Sequence, residues 1–317
     1  MERAELERRR INREKRRKAQ QRQDALIRSL GLAVVLALAV ALVLVVRTLF
    51  TNANANTEAD ADAVTASAVQ QVESTPKPEI QAADAVVSRS GSSISSLPQP
   101  ATPDPESIIY FTFDDGPSTE VTPKLLDLLE ENEVPATFFI LNYSEELLPI
   151  LRREVADGHT IAMHAWDHDY AKCYTEDDAY LSGIEQLREK VFQDTGYTSY
   201  CLRFPGGSSN TVSRKYNSGI MTRLTQQVDA DPSWEYFDWN VDSTDATGNN
   251  LDPEKLAQSA INSLKKGQHN VILCHDTNNK TTTVEAVEKI IEYARANGYC
   301  FSAIQRDTPP VHHGVNN

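Results

Sequence analysis

Cysteine is scarce. The 317 residues hold four, Cys173, Cys201, Cys274 and Cys300, and no two are spaced C-x-x-C. That spacing argues against a cysteine zinc site. It leaves open whether the four are free thiols or include a disulfide, because four cysteines allow three full pairings and spacing selects none. Positive charge is scarce beyond the first 28 residues. Residues 107–317 hold 17 Lys and Arg against 32 Asp and Glu, and the whole chain carries −14. An acidic body of that size repels phosphate, so a nucleic acid is not an expected partner. Internal repeats are absent as well.

Charge is missing altogether from Ser29 to Val46, "SLGLAVVLALAVALVLVV", eighteen residues bracketed by Arg28 and Arg47. As a helix this run would be ~27 Å long, close to the ~30 Å of a bilayer core. Residues 1–28 precede it with 11 Lys and Arg and 5 Asp and Glu. That excess predicts a single-pass transmembrane helix at 29–46 with a cytoplasmic N-terminus, which places the rest outside the cell membrane. A cleaved signal peptide with a small-residue site at Ala53-Asn54-Ala55 is the alternative. The apolar run is long for that role, and Ala55 lies far past its end. Residues 47–106, rich in Ala, Asn, Ser, Asp and Pro, lack a sustained apolar period and read as a disordered extracellular linker.

From residue 107 the pattern alternates. Apolar runs at 107–113, 136–141, 159–163, 200–204, 236–241, 270–274 and 299–304 are separated by helical stretches at 120–132, 144–157, 176–194, 212–229, 252–266 and 281–297. Such alternation predicts an α/β domain over 107–306, with parallel strands covered by helices, followed by a tail at 307–317. Continuous apolar strands suit a closed barrel, with an open doubly wound sheet as the alternative.

Unusual residues gather where the expected strands end. Asp114-Asp115 end the first, His164 and His168 follow the third, and "RFPGG" (203–207) ends the fourth. Asp242 and Asp245 follow the fifth, and His275-Asp276 end the sixth. In a parallel barrel these ends share one face, where active sites form. Two imidazoles and a carboxylate there could hold Zn²⁺ with one position open to water. The cation would offset the repulsion between adjacent acids and leave the second aspartate as a base. The motif is not H-E-x-x-H, because Ala165 stands where the glutamate would be.

Five stretches in order, "TFDDGP" (112–117), "HAWDH" (164–168), "RFPGG" (203–207), "DSTDA" (242–246) and "LCHD" (273–276), resemble the NodB-homology polysaccharide deacetylases, carbohydrate esterase family 4. The resemblance covers roughly residues 107–306. It implies a distorted (β/α) barrel of seven to eight parallel strands that removes acetyl groups from carbohydrate. It further implies a divalent cation, Zn²⁺, held by Asp115, His164 and His168, with Asp114 as base. Arg203 would keep Asp114 ionised, the Gly206 N–H would receive the developing oxyanion, and His275 would act as general acid oriented by Asp245.

The sequence departs from the family at three places. Ala165 replaces a Ser or Thr, which implies a looser metal loop with no ligand lost, while Ala246 replaces a Trp and Gly206 an aromatic or bulky residue, which imply altered substrate contacts in an active enzyme. Trp166, Trp234, Tyr236, Phe237 and Trp239 are candidates to stack on sugar rings. Asp242 is a rival to Asp245 and Asp276 a structural brace. His159 reads as structural, His269 as a strand start and "HHG" (312–314) as a frayed end. With the expected address outside the membrane, the implied partner is an acetylated glycan, cell-wall peptidoglycan above all. The alternatives are an O-acetyl esterase on another polysaccharide, or a silent wall-binding barrel.

Overall fold

The computed structural model describes residues 102–317. The basic segment, the expected membrane helix at 29–46 and nearly all of the linker lie outside the described residues. Among the described residues, no helix is long and apolar enough to cross a membrane. The elements are β1 (Asp104–Asp114), α1 (Thr122–Glu131), β2 (Ala136–Leu141), α2 (Leu148–Ala156), β3 (Thr160–Ala165), α3 (Tyr170–Tyr174), α4 (Ala179–Thr195) and β4 (Cys201–Leu202). They continue with α5 (Ile220–Ala230), β5 (Glu235–Tyr236), β6 (Val241–Asp242), α6 (Pro253–Ser263), β7 (His269–His275), α7 (Thr283–Ala296) and β8 (Tyr299–Phe301).

Local chemistry sets several boundaries. Asp252 caps α6 by accepting from the Glu254 N–H, with Pro253 in the first turn. Gly196, at φ 75°, ends α4 in the left-handed region. The helix expected over 212–229 is interrupted: Gly219, at φ 76°, separates a short 3₁₀ turn at Val212–Lys215 from α5.

All strand pairings are parallel, in the order β5-β4-β3-β2-β1-β7-β6, with β8 beside the first half of β1. Side-chain alternation divides two apolar layers. Ile109, Phe111 and Phe113 of β1 join Phe138, Ile161, Leu202 and Ile272 in the layer packed with the helices. Tyr110, Phe139, Ala162, Cys201 and Val271 fill the inside of the curl with Phe237 and Ile304.

The barrel does not close by a hydrogen-bonded ladder. β5 and β6 are the two ends of the strand order, so the sheet is a curled half-barrel. The single strand expected at 236–241 splits between these edges. Phe237 N donates to Leu202 O on one side, and Asn240 N donates to Val271 O on the other. Asp238 lies between them, fully buried. Its carboxylate accepts from Ser208 N, Ser208 Oγ and His313 N, which draws the chain out of strand pairing.

The end of the chain is packed, not frayed. The His312 ring stacks on Tyr236 at 3.7 Å and 7°, and Thr222 donates to the Asn317 carbonyl. All four cysteines are free thiols, so no disulfide forms.

Candidate active site

The inward-facing column of each strand continues past the apolar filling to the C-terminal mouth, where it turns polar. On β1, Tyr110 is followed by Thr112 and Asp114; on β3, Ala162 by His164; on β4, Cys201 by Arg203; on β7, Val271 by His275. A side-chain period of two fixes this placement once the apolar members are inside. Register brings Asp114 beside His275, because the two are Cα partners across β1 and β7.

Asp115 breaks the alternation. A continued strand would turn its side chain toward the helices, but its backbone sits at φ 74°. This left-handed conformation, tolerated by Asp better than by most residues, returns the second carboxylate to the mouth. Gly116 then has no room for a side chain: a Cβ there would collide with the Asp276 carboxylate.

Asp115, His164 and His168 converge, each offering one ligand atom within 4.8 Å of the others. Asp115 Oδ1 lies 3.5 Å from His164 Nε2 and 3.6 Å from His168 Nε2. It is buried with no hydrogen-bond partner. A buried carboxylate oxygen without a donor is costly unless a cation or proton satisfies it. His164 Nδ1 is 2.8 Å from the Arg203 carbonyl, which can only accept, so Nδ1 carries the proton and Nε2 offers its lone pair. Burial holds the His164 pKa down to about 3, so the ring is neutral, as a ligand must be. The donor set fits a divalent metal ion.

Beside this cluster, Asp114 is buried and gripped through Oδ1 by Arg203 Nη1 at 2.8 Å. Its Oδ2 makes no hydrogen bond and lies 3.8 Å from His164 Nε2. Arg203 is itself fully buried and well satisfied. Nη1 also donates to Thr112 Oγ1, Nε to Phe237 O and Nη2 to Asp238 O, and the guanidinium lies 4.0 Å from the Phe139 ring centre. The sequence predicts that Arg203 lowers the Asp114 pKa. In the structure burial pushes it up, and Arg203 and His275 pull it back only in part. A cation bound beside it would act in the same direction as Arg203.

His275 Nδ1 lies 2.7 Å from Asp245 Oδ1, while Asp245 Oδ2 accepts from His275 N and Thr283 Oγ1. Burial opposes a charge on His275, but the hydrogen bond and charge of Asp245 outweigh it and raise its pKa to about 9. For Asp245, burial is likewise outweighed by these hydrogen bonds, and its pKa falls. The two rival acids separate here. Asp242 is exposed and closes a turn onto Thr244 N, away from His275. Asp276 points into the helix layer, where Thr122 Oγ1 donates to it. Gly206 is exposed at φ 76°, and its N–H makes no hydrogen bond within the protein.

The aromatic candidates divide. Trp234, Tyr236 and Phe237 are buried, with Trp234 tied to Glu185. Trp166 and Trp239 are half-buried, and Trp239 lies near Arg203. His159 is structural, accepting from Ala136 N. His269 starts β7 and faces the Tyr110 hydroxyl. Sequence reasoning missed Thr112, Asp238, Thr283 and Tyr170. Only Thr112 carried a signal, its place two residues before Asp114 on an inward column.

A parallel (β/α) half-barrel whose mouth joins an acid–imidazole cluster to an Arg-held aspartate and an Asp–His pair is the architecture of a hydrolase with a candidate metal centre. Similarity gives the family. The profile of the polysaccharide deacetylase family matches residues 101–220. A peptidoglycan-N-acetylglucosamine deacetylase of Bacillus cereus is 30% identical over 206 residues, 64% of this chain and 88% of that protein. The solved catalytic domain of a peptidoglycan N-acetylglucosamine deacetylase from Eubacterium rectale is 41% identical, with TM-score 0.63, covering 68% of this chain and 97% of that one. A polysaccharide deacetylase structure from Bacillus cereus is 28% identical, with TM-score 0.56, covering 65% and 96%. The chain belongs to the polysaccharide deacetylase family, within the NodB-homology group of carbohydrate esterase family 4.

Proposed function

We propose that the protein is a metal-dependent deacetylase that removes N-acetyl groups from the peptidoglycan of the cell wall. The observation that carries this reading is the orphaned, buried Asp115 Oδ1 facing the two imidazoles, with a second carboxylate beside them. Asp115, His164 and His168 would hold the ion. Two imidazoles and a carboxylate suit Zn²⁺ better than Mg²⁺ or Ca²⁺, which prefer all-oxygen sites. The ion would supply Lewis-acid polarisation at the acetyl group.

The chain's own groups then divide the proton work. Asp114 takes a proton from the attacking water through Oδ2, while Arg203 holds Oδ1 and favours the charged form. The Gly206 N–H donates to the acetyl oxygen as negative charge develops on it. His275, protonated at neutral pH and oriented by Asp245, gives its proton to the departing amine. One amide and one water yield acetate and a free amino sugar.

The substrate and the address rest on two supports. Relatives over most of the described domain are named for peptidoglycan N-acetylglucosamine. The apolar run at 29–46 with basic residues before it argues for an anchor that holds the domain outside the cell, beside the wall. Acetate release from purified wall, chitooligosaccharide and acetylated xylan, each with chelator and with restored Zn²⁺, tests the reading. Release from wall that chelator abolishes and Zn²⁺ restores is expected. Release from xylan alone would move the assignment to an O-acetyl esterase, and no release from any substrate would leave a wall-binding barrel.

A further inference from the structure

Tyr170 opens α3, two residues beyond His168, and its ring stands edge-on to the His168 ring at 5.8 Å. Its neighbour Tyr174, 5.5 Å away ring to ring, donates to the Pro205 carbonyl. One face of α3 is therefore laid against the turn at 205–206. The Tyr170 hydroxyl stands where a side chain on residue 206 would project, so that a Cβ at Gly206 would collide with it. Bulk expected on one loop is supplied here by another.

Tyr170 is half-buried, and its hydroxyl makes no hydrogen bond. Beside it, Gly206 is exposed, and its N–H also lacks a partner within the protein. The two groups are neighbours, the hydroxyl lying against the place where a Gly206 Cβ would stand, and the Tyr170 ring packs on His168 of the Asp115–His164–His168 cluster. A hydroxyl that can rotate onto an acceptor, next to a fixed N–H, is what a developing oxyanion requires.

Resting on the deacetylase reading above, we propose that Tyr170 is a further catalytic residue, whose hydroxyl donates to the acetyl oxygen alongside the Gly206 N–H. Gly206 follows from this role. Any side chain there would displace the donor, besides being strained at φ 76°.

Tyr170→Phe keeps the ring against His168 and Tyr174 and removes only the hydroxyl. In the Zn²⁺-loaded full chain, kcat for acetate release should fall on the order of a hundredfold, as loss of one oxyanion donor does. KM should stay within about twofold and metal content should be unchanged. Calorimetric titration of acetate into the same two proteins gives a readout independent of turnover, and its affinity should weaken about tenfold, since acetate presents oxygen acceptors to the same donors. The assignment is overturned if kcat and acetate affinity both stay within threefold of wild type, or if metal content falls with kcat. If wild type deacetylates nothing, the deacetylase reading fails by itself. Acetate affinity alone then decides whether Tyr170 is a donor in this site.

Discussion

Asp114 and Asp115 face one mouth only because the backbone turns left-handed at the second of them. The first faces inward by strand alternation and is held by Arg203 from within the curl. The second has an unsatisfied oxygen toward two imidazoles. On the proposed reading the labour divides accordingly: Asp114, with a free oxygen beside the cluster, takes a proton, while Asp115, inside the cluster, binds the ion. Asp114→Asn should therefore retain bound metal at wild-type stoichiometry and lose at least about 10³-fold in acetate release, measured by elemental analysis and an acetate assay on one preparation. Near-normal turnover would remove Asp114 from the role of base. His275, the proton donor of the proposed mechanism, has a pH signature. A raised imidazole pKa keeps His275 protonated until pH passes about 9, so activity should fall on the alkaline side at or below that value, a nearby cation moving it lower. Asp245→Asn removes the anion that raises the pKa. The alkaline limb should then move down toward the ordinary ~6.5 of histidine, with activity at pH 8 reduced on the order of thirtyfold. An unmoved limb would show that another group titrates there.

Elements carry the half-barrel only because unpaired edges are covered in other ways. Residues 237–240 cross from β5 to β6, and the last residues fasten that crossing. His313 N binds Asp238, and the His313 ring stands edge-on to Trp239 at 4.7 Å. Asn317 ties to α5 through Thr222 and to Ser213. Deleting 312–317 leaves Asp238 without one of its donors and exposes the Tyr236 ring. At about 1 kcal/mol for each of these hydrogen bonds, to Asp238, Thr222 and Ser213, plus the uncovered ring, the cost is about 4–5 kcal/mol. For a domain of this size that is about 8–20 °C in Tm, and a shift under 2 °C in a thermal melt would show the strap to be ornamental. This segment was also where the sequence was least legible. Strands with uninterrupted apolar runs, 107–113 and 270–274, could be read directly, since burial on both faces leaves no polar alternation to confuse them. The ends of those strands were legible because charged residues stand out against them. By contrast, "YFDWNV" has the composition of one strand, and its division depends on Ser208 and His313, distant in sequence, reaching Asp238. "VHHGVNN" has no apolar period, and what packs it is a ring stack and polar contacts with other segments. The Tyr170–Gly206 complement was equally hidden, because nothing in either loop's local pattern says that one fills the other's space.

At the scale of the molecule, the candidate centre joins segments that local structure keeps apart. Asp115 comes from the end of β1, His164 from β3, and His168 from the loop that leads into α3. An ion held by all three ties two strand ends and that loop together, and it binds only the folded chain. Mass action then makes stability depend on metal: at a hundredfold excess over its dissociation constant, the ion adds about 2.7 kcal/mol. For a domain of roughly 200 residues this corresponds to a Tm rise of about 5–10 °C. The rise should appear with Zn²⁺, reverse with a chelator, and be much smaller with Mg²⁺, which two imidazoles serve poorly. Asp115→Ala and His168→Ala should each abolish it, because the three ligands act on one ion. Asp114→Asn should keep it, since that carboxylate is held by Arg203 outside the ligand set. Equal shifts with Zn²⁺ and Mg²⁺, or a Zn²⁺ shift surviving in both ligand variants, would place the ion elsewhere and leave Asp115 Oδ1 to be satisfied by a proton.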